Sequence, residues 1–80
     1  MITGEERRVL EYLRRRGSAP VAEVARACLP GAPPEWVSRV VAHLDWLGYV
    51  AVHPGPAGAP AALQITEKGL QRATDLGRRG

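Results

Sequence analysis

Apolar positions recur along this chain with helical spacing three times, then with strand-like spacing, then helically once more. Val9, Leu10 and Leu13 stand at i, i+1 and i+4, one face of a helix. Thr3 followed by Glu6 forms a capping box: the hydroxyl accepts the third helical N–H and the carboxylate reaches back to the cap. Arg14, Arg15 and Arg16 favour the negative end of the helix dipole, and Gly17 suits a left-handed C-cap. This predicts a first helix over Gly4–Arg16. Ser18 is then read as an N-cap with Pro20 in the first turn. Val21, Val24, Ala25, Cys28 and Leu29 form an apolar stripe, so a second helix is expected over Pro20–Leu29. Pro30–Pro34 is a turn, and Pro34 suits the first position of a third helix. That helix, Pro34–Leu47, carries Val37, Val40, Val41, Leu44 and Leu47 on one face, with Gly48 as its stop.

The pattern then changes period. Tyr49–His53 and Ala61–Ile65 are short strand candidates around Pro54–Pro60, a Pro/Gly/Ala loop that no helix tolerates. Thr66 caps a last helix, Glu67–Leu76, with Leu70, Ala73, Thr74 and Leu76 expected inward. Three helices bury the inner face of a two-stranded hairpin only if the hairpin folds back over them. The order therefore predicts an α+β, mostly helical winged helix-turn-helix: three helices, a β-hairpin wing and a C-terminal helix. Residues 1–80 read as one domain, with residues 1–2 and 77–80 expected to fray.

Composition narrows the chemistry. Cys28 is the single cysteine, so no internal disulfide can form, and its place on an apolar stripe marks it as a small core filler. His43 and His53 lie ten residues apart with no ligand-spaced carboxylate between them, which argues against a metal site. The carboxylates form no catalytic pair, and no Ser/His/Asp set, phosphate-cradling loop or cofactor motif can be assembled, so an enzyme is not expected. The charged N-terminus lacks a signal peptide's apolar run, and no stretch is long and apolar enough for a membrane span. These features predict a cytoplasmic protein. Net charge is +3, and Lys68 is the only lysine among eleven basic residues. That balance permits nucleic-acid contact without requiring it.

The segment Val37–Val50, VSRVVAHLDWLGYV, resembles the recognition helix of the MarR and PadR groups of winged helix-turn-helix regulators, where a V-S/T-R-x-V-x-x-L core runs into a glycine and the first wing strand. Leu63–Leu70, LQITEKGL, resembles their second wing strand and the following helix. The likeness spans Glu5 to Leu76. It departs in the long, proline-rich turn LPGAPP, and in stopping about where MarR-type proteins continue into dimerisation helices. The resemblance implies double-stranded DNA as partner, with helix 34–47 in the major groove. Arg39 is then the leading base or phosphate contact, beside Ser38 and His43. Phosphates are expected at the N-terminus of the second helix near Ser18, with Arg26 adding charge.

Two features oppose that reading. Glu35 would face phosphates, and the wing loop Pro54–Pro60 carries no Lys or Arg. Trp46 falls on the outer face of the third helix and Trp36 on its flank, which favours an interaction or dimerisation module. For Trp46 three placements stay open: packed under the C-terminal helix, against a second copy or another protein, or stacked on a base.

Overall fold

The computed structural model describes residues 2–79. Its elements are α1 (Gly4–Arg16), β1 (Ser18–Pro20), α2 (Val21–Cys28), α3 (Pro34–Trp46), β2 (Val50–Pro54), a 3-10 turn (Pro56–Gly58), β3 (Pro60–Ile65) and α4 (Glu67–Arg79). The expected capping box starts α1: Thr3 Oγ1 accepts the Glu6 N–H at 3.2 Å, and the Thr3 N–H donates to Glu6 Oε1 at 2.9 Å. Gly17 follows α1 and Gly48 lies just beyond α3, at φ of +81° and +80°, where a side chain would be strained.

The sheet holds one strand more than the pattern predicts. Its order is β1-β3-β2, antiparallel throughout, with Ala19 opposite Leu63 on one side and Val52 opposite Leu63 on the other. Ser18 therefore does not cap the second helix. It lies extended opposite Gln64, and α2 begins at Val21 behind Pro20, with no side-chain cap, and ends at Cys28. Pro20 sits in the extended region and lacks an N–H, which suits the end of an edge strand. Ala19, buried in the core, anchors the segment against β3.

Val9, Leu10 and Leu13 from α1, Val24 from α2, Leu44 from α3 and Leu63 from β3 are the most enclosed large side chains. Leu63 and Ile65 turn inward on alternate positions of β3, as a half-buried strand requires. Cys28 is buried among them, as its stripe predicts. Thr66 joins the end of α3 to the start of α4. Its hydroxyl donates to the Gly48 carbonyl at 2.6 Å and accepts the Gly69 N–H at 3.0 Å, and its own N–H donates to Tyr49 O at 3.0 Å.

The seating of α4 differs from expectation. Leu70 is 41% exposed and Thr74 is exposed, whereas Gly69 and Ala73 are buried and Leu76 half-buried. Counting apolar side chains misses the glycine, yet the glycine sets the rotation of the helix. A Cβ at Gly69 would collide with the Tyr49 carbonyl and lie 2.9 Å from Ile65 Cγ1, so only glycine allows this approach. At the ends, α4 continues through Arg79, and Ile2 packs against the core. Met1 and Gly80, expected to fray, lie outside the described residues.

Candidate nucleic-acid interface

Val40, Val41 and Leu44 hold α3 to the core, which turns Glu35, Ser38, Arg39, Ala42 and Trp46 to solvent, as a 3.6-residue period demands. The candidate residues divide between two flanks. Ser38 faces an apolar groove lined by Val21, Ala22 and Ala25 of α2 and by Ala59 and Ala61 of the β2–β3 hairpin. Arg39 borders a smaller crevice on the α1 side with Thr3, Glu6, Trp36 and His43. Ser38 and Arg39 thus share an exposed helix face but look toward different neighbours. Ser18, in β1, is exposed and lies outside both linings.

Within the crevice, His43 Nδ1 contacts Glu6 Oε2, and the ring keeps 41% of its side chain exposed. Glu6 is the one charged residue in the described core, at 2% exposure. Nothing local in the sequence signals this contact, because the partners are 37 residues apart. Trp36, a flank residue 39% exposed, donates its indole N–H to Glu5 Oε2 at 2.9 Å and so clips α3 to α1. Trp46 does not pack under α4. It is 81% exposed, with its ring nearly parallel to His43 at a centroid separation of 6.4 Å.

The other cations fall into engaged and uncommitted sets. Arg14 bonds Glu11 at 2.6 Å, and this hydrogen bond holds the Glu11 carboxyl below its usual value. Arg16 lies over the Tyr12 ring and reaches Glu23 at 3.2 Å, while Arg7 donates to Leu76 O at 3.2 Å. Lys68 sits over the Tyr49 ring at 5.6 Å, in a cluster with Gln71, Arg72 and Asp75. Arg26 on α2 and Arg39 on α3, like Arg8, Arg15 and Arg78, are exposed and form no side-chain bond or ion pair among the described residues. The wing turn carries no cation; Ala57 at its tip takes φ +60°, and His53 bonds Gln64 at 3.0 Å. Among the described residues, no group of three or more His, Cys, Asp or Glu is placed to hold a metal, and no helix is long and apolar enough to cross a membrane.

No family model matches the chain, and no curated protein does. Solved structures do match. BpsR from Bordetella bronchiseptica, whose DNA binding is regulated by 6-hydroxynicotinic acid, superposes with a TM-score of 0.78 over 96% of this chain and 54% of its own, at 22% identity. A MepR-like protein complexed with pseudoligands gives 0.82 over the same shares at 15% identity. The fold is a winged helix-turn-helix. A mutant MarR from E. coli complexed with operator DNA shares it as well, at a TM-score of 0.77 and 18% identity over 96% of this chain and 54% of that one. The winged-helix neighbours are MarR-family regulators, and the chain spans about half the length of each. Within this winged helix, α2 and α3 form the helix-turn-helix and β2–β3 the wing, so Arg26, Ser38, Arg39 and His43 all belong to the helix-turn-helix unit.

Proposed function

We propose that this domain binds double-stranded DNA as part of a transcriptional regulator, with the exposed face of α3 in the major groove. The observation that carries the reading is Arg39: exposed, on the outward face, and free of any ion pair among the described residues. An uncommitted guanidinium there can take a guanine edge or a phosphate bidentately. The uncapped N-terminus of α2 adds backbone N–H groups at the positive dipole end, and Arg26 adds an unpaired cation on the same helix. Ser18 is not part of that anchor, because β1 holds it in the sheet. Glu35 and the uncharged wing keep the phosphate contacts few, so binding is modest and salt-sensitive.

Fluorescence anisotropy on a mixed-sequence duplex tests this. About three phosphate contacts predict roughly a 40-fold loss of affinity between about 50 and 200 mM salt. Arg39→Ala costs about 1–3 kcal/mol if Arg39 reads a base, or lowers the salt slope by about one if it holds a phosphate. Unchanged affinity and slope in Arg39→Ala would reject the α3 docking.

The exposed Trp46 supports a second reading, in which this face meets a second copy or a protein partner. Trp46→Ala separates the two. Loss of self-association by sedimentation, with duplex affinity intact, makes Trp46 an interface residue and leaves Arg39 as the reader.

A further inference from the structure

Glu6 is a carboxylate in the core, and its two oxygens have separate jobs. Oε1 accepts the Thr3 N–H of the α1 cap, and Oε2 meets His43 Nδ1 on α3. At 2% exposure an ionised carboxylate is tolerable only with donors on both sides. With Glu6 ionised, the contact places the proton on Nδ1 in the neutral ring as well as in the charged one. Nε2, across the ring, makes no side-chain hydrogen bond among the described residues, and 41% of the His43 side chain is open to solvent. The charged groups lining this crevice are Glu6 from α1 and Arg39 from α3, with Glu5 bonded to Trp36 beside them.

We propose that Glu6 is a positioning residue that holds His43 on the recognition helix with its proton on Nδ1, so that Nε2 is an acceptor in neutral His43 and a donor once the ring is protonated. The inference rests on the DNA reading above for its consequence: acidification adds a cationic donor beside Arg39 and strengthens duplex binding. Imidazoles change charge across the range where such a shift operates. The gain is about ten- to a hundredfold, the contribution of a charge-assisted hydrogen bond that the neutral ring, an acceptor at Nε2, does not make.

Glu6→Gln is the decisive variant. Its amide oxygen still accepts the Thr3 N–H and keeps the capping box, which turns the NH2 group toward Nδ1. That donor needs an unprotonated Nδ1, so the neutral ring moves its proton to Nε2. Two-bond proton–nitrogen NMR spectra of His43 read the tautomer without DNA. Wild type should show the Nδ1–H form and Glu6→Gln the Nε2–H form, with circular dichroism confirming that both are folded. Anisotropy on the same duplex, at about pH 5.5 and about pH 8, then reads the consequence. The wild-type gain should vanish in His43→Gln and Glu6→Gln and persist in His53→Gln, on the wing. An Nε2–H wild type, or a tautomer indifferent to Glu6→Gln, overturns the positioning role whatever the DNA result. An equal gain in His43→Gln overturns the proton dependence. The expected tautomers with no duplex binding at either pH would reject the DNA reading, and with it the predicted consequence, while leaving the positioning role supported.

Discussion

Two glycines in α4 put opposite predictions in one helix. Glycine costs a helix interior about 1 kcal/mol relative to alanine, so helix propensity alone makes Gly69→Ala and Gly77→Ala both stabilising. The packing separates them. A methyl at Gly77 meets nothing within 4 Å, whereas one at Gly69 collides with the Tyr49 carbonyl and lies 2.9 Å from Ile65 Cγ1. That carbonyl cannot step aside easily, because it accepts the Thr66 N–H at 3.0 Å where α3, the wing and α4 meet. Overpacking at such a site costs about 1–3 kcal/mol, more when the obstacle is backbone. With a backbone obstacle the cost falls in the upper part of that range, about 2–3 kcal/mol, so against a propensity gain of about 1 kcal/mol the net for Gly69→Ala is a loss of about 1–2 kcal/mol. For a domain of this size that lowers Tm by about 4–16 °C, while Gly77→Ala raises it by a few degrees. Thermal melts by circular dichroism or calorimetry measure both. A Gly69→Ala variant as stable as wild type would refute the seating of α4 on the Tyr49 carbonyl.

Three further outcomes are expected. Thr66→Ala removes the α4 cap and the bond to Gly48 O, and should cost about 1–2 kcal/mol by urea denaturation. Ala57→Gly should be neutral or stabilising by up to about 1 kcal/mol, since Ala57 holds a left-handed backbone that glycine adopts freely; a clear loss in a thermal melt would argue against the turn. Burial pushes the Cys28 thiol up, against a smaller opposing pull from Arg8. Alkylation of the native chain should therefore be far slower than in denaturant. With the folded value raised, Cys28's contribution is intact below the unfolded thiol's ordinary range, about pH 8.5, and is lost as pH rises through the folded value. The stability difference between wild type and Cys28→Ala, followed by urea midpoints from neutral to alkaline pH, reads that sign.

Elements with a local cause were legible in the sequence. Thr3 and Glu6 announce α1, Pro34 announces α3, and Gly17 and Gly48 mark their ends, because caps and turns depend on residues a few positions apart. The outward face of α3 follows from helical geometry once Val40, Val41 and Leu44 are recognised as core. Features made by distant partners were not legible. β1 is three residues long, too short to show alternation, and Ser18 looked like a cap because its partner Gln64 is remote in sequence. Gly69 carries no hydrophobic signal although its missing side chain decides how α4 docks. The Glu6–His43 contact joins two residues that each had a sufficient local explanation, one as a cap and one on a helix flank.

Titrating a duplex into isotope-labelled protein and following each backbone amide by NMR shows whether the exposed face of α3 meets DNA. Shifts should concentrate at Glu35, Ser38, Arg39 and Ala42, extend to the first turn of α2 and Arg26, and fade as salt is raised. Shifts confined to α4 or to Arg14–Arg16, or none at low salt, would contradict that docking.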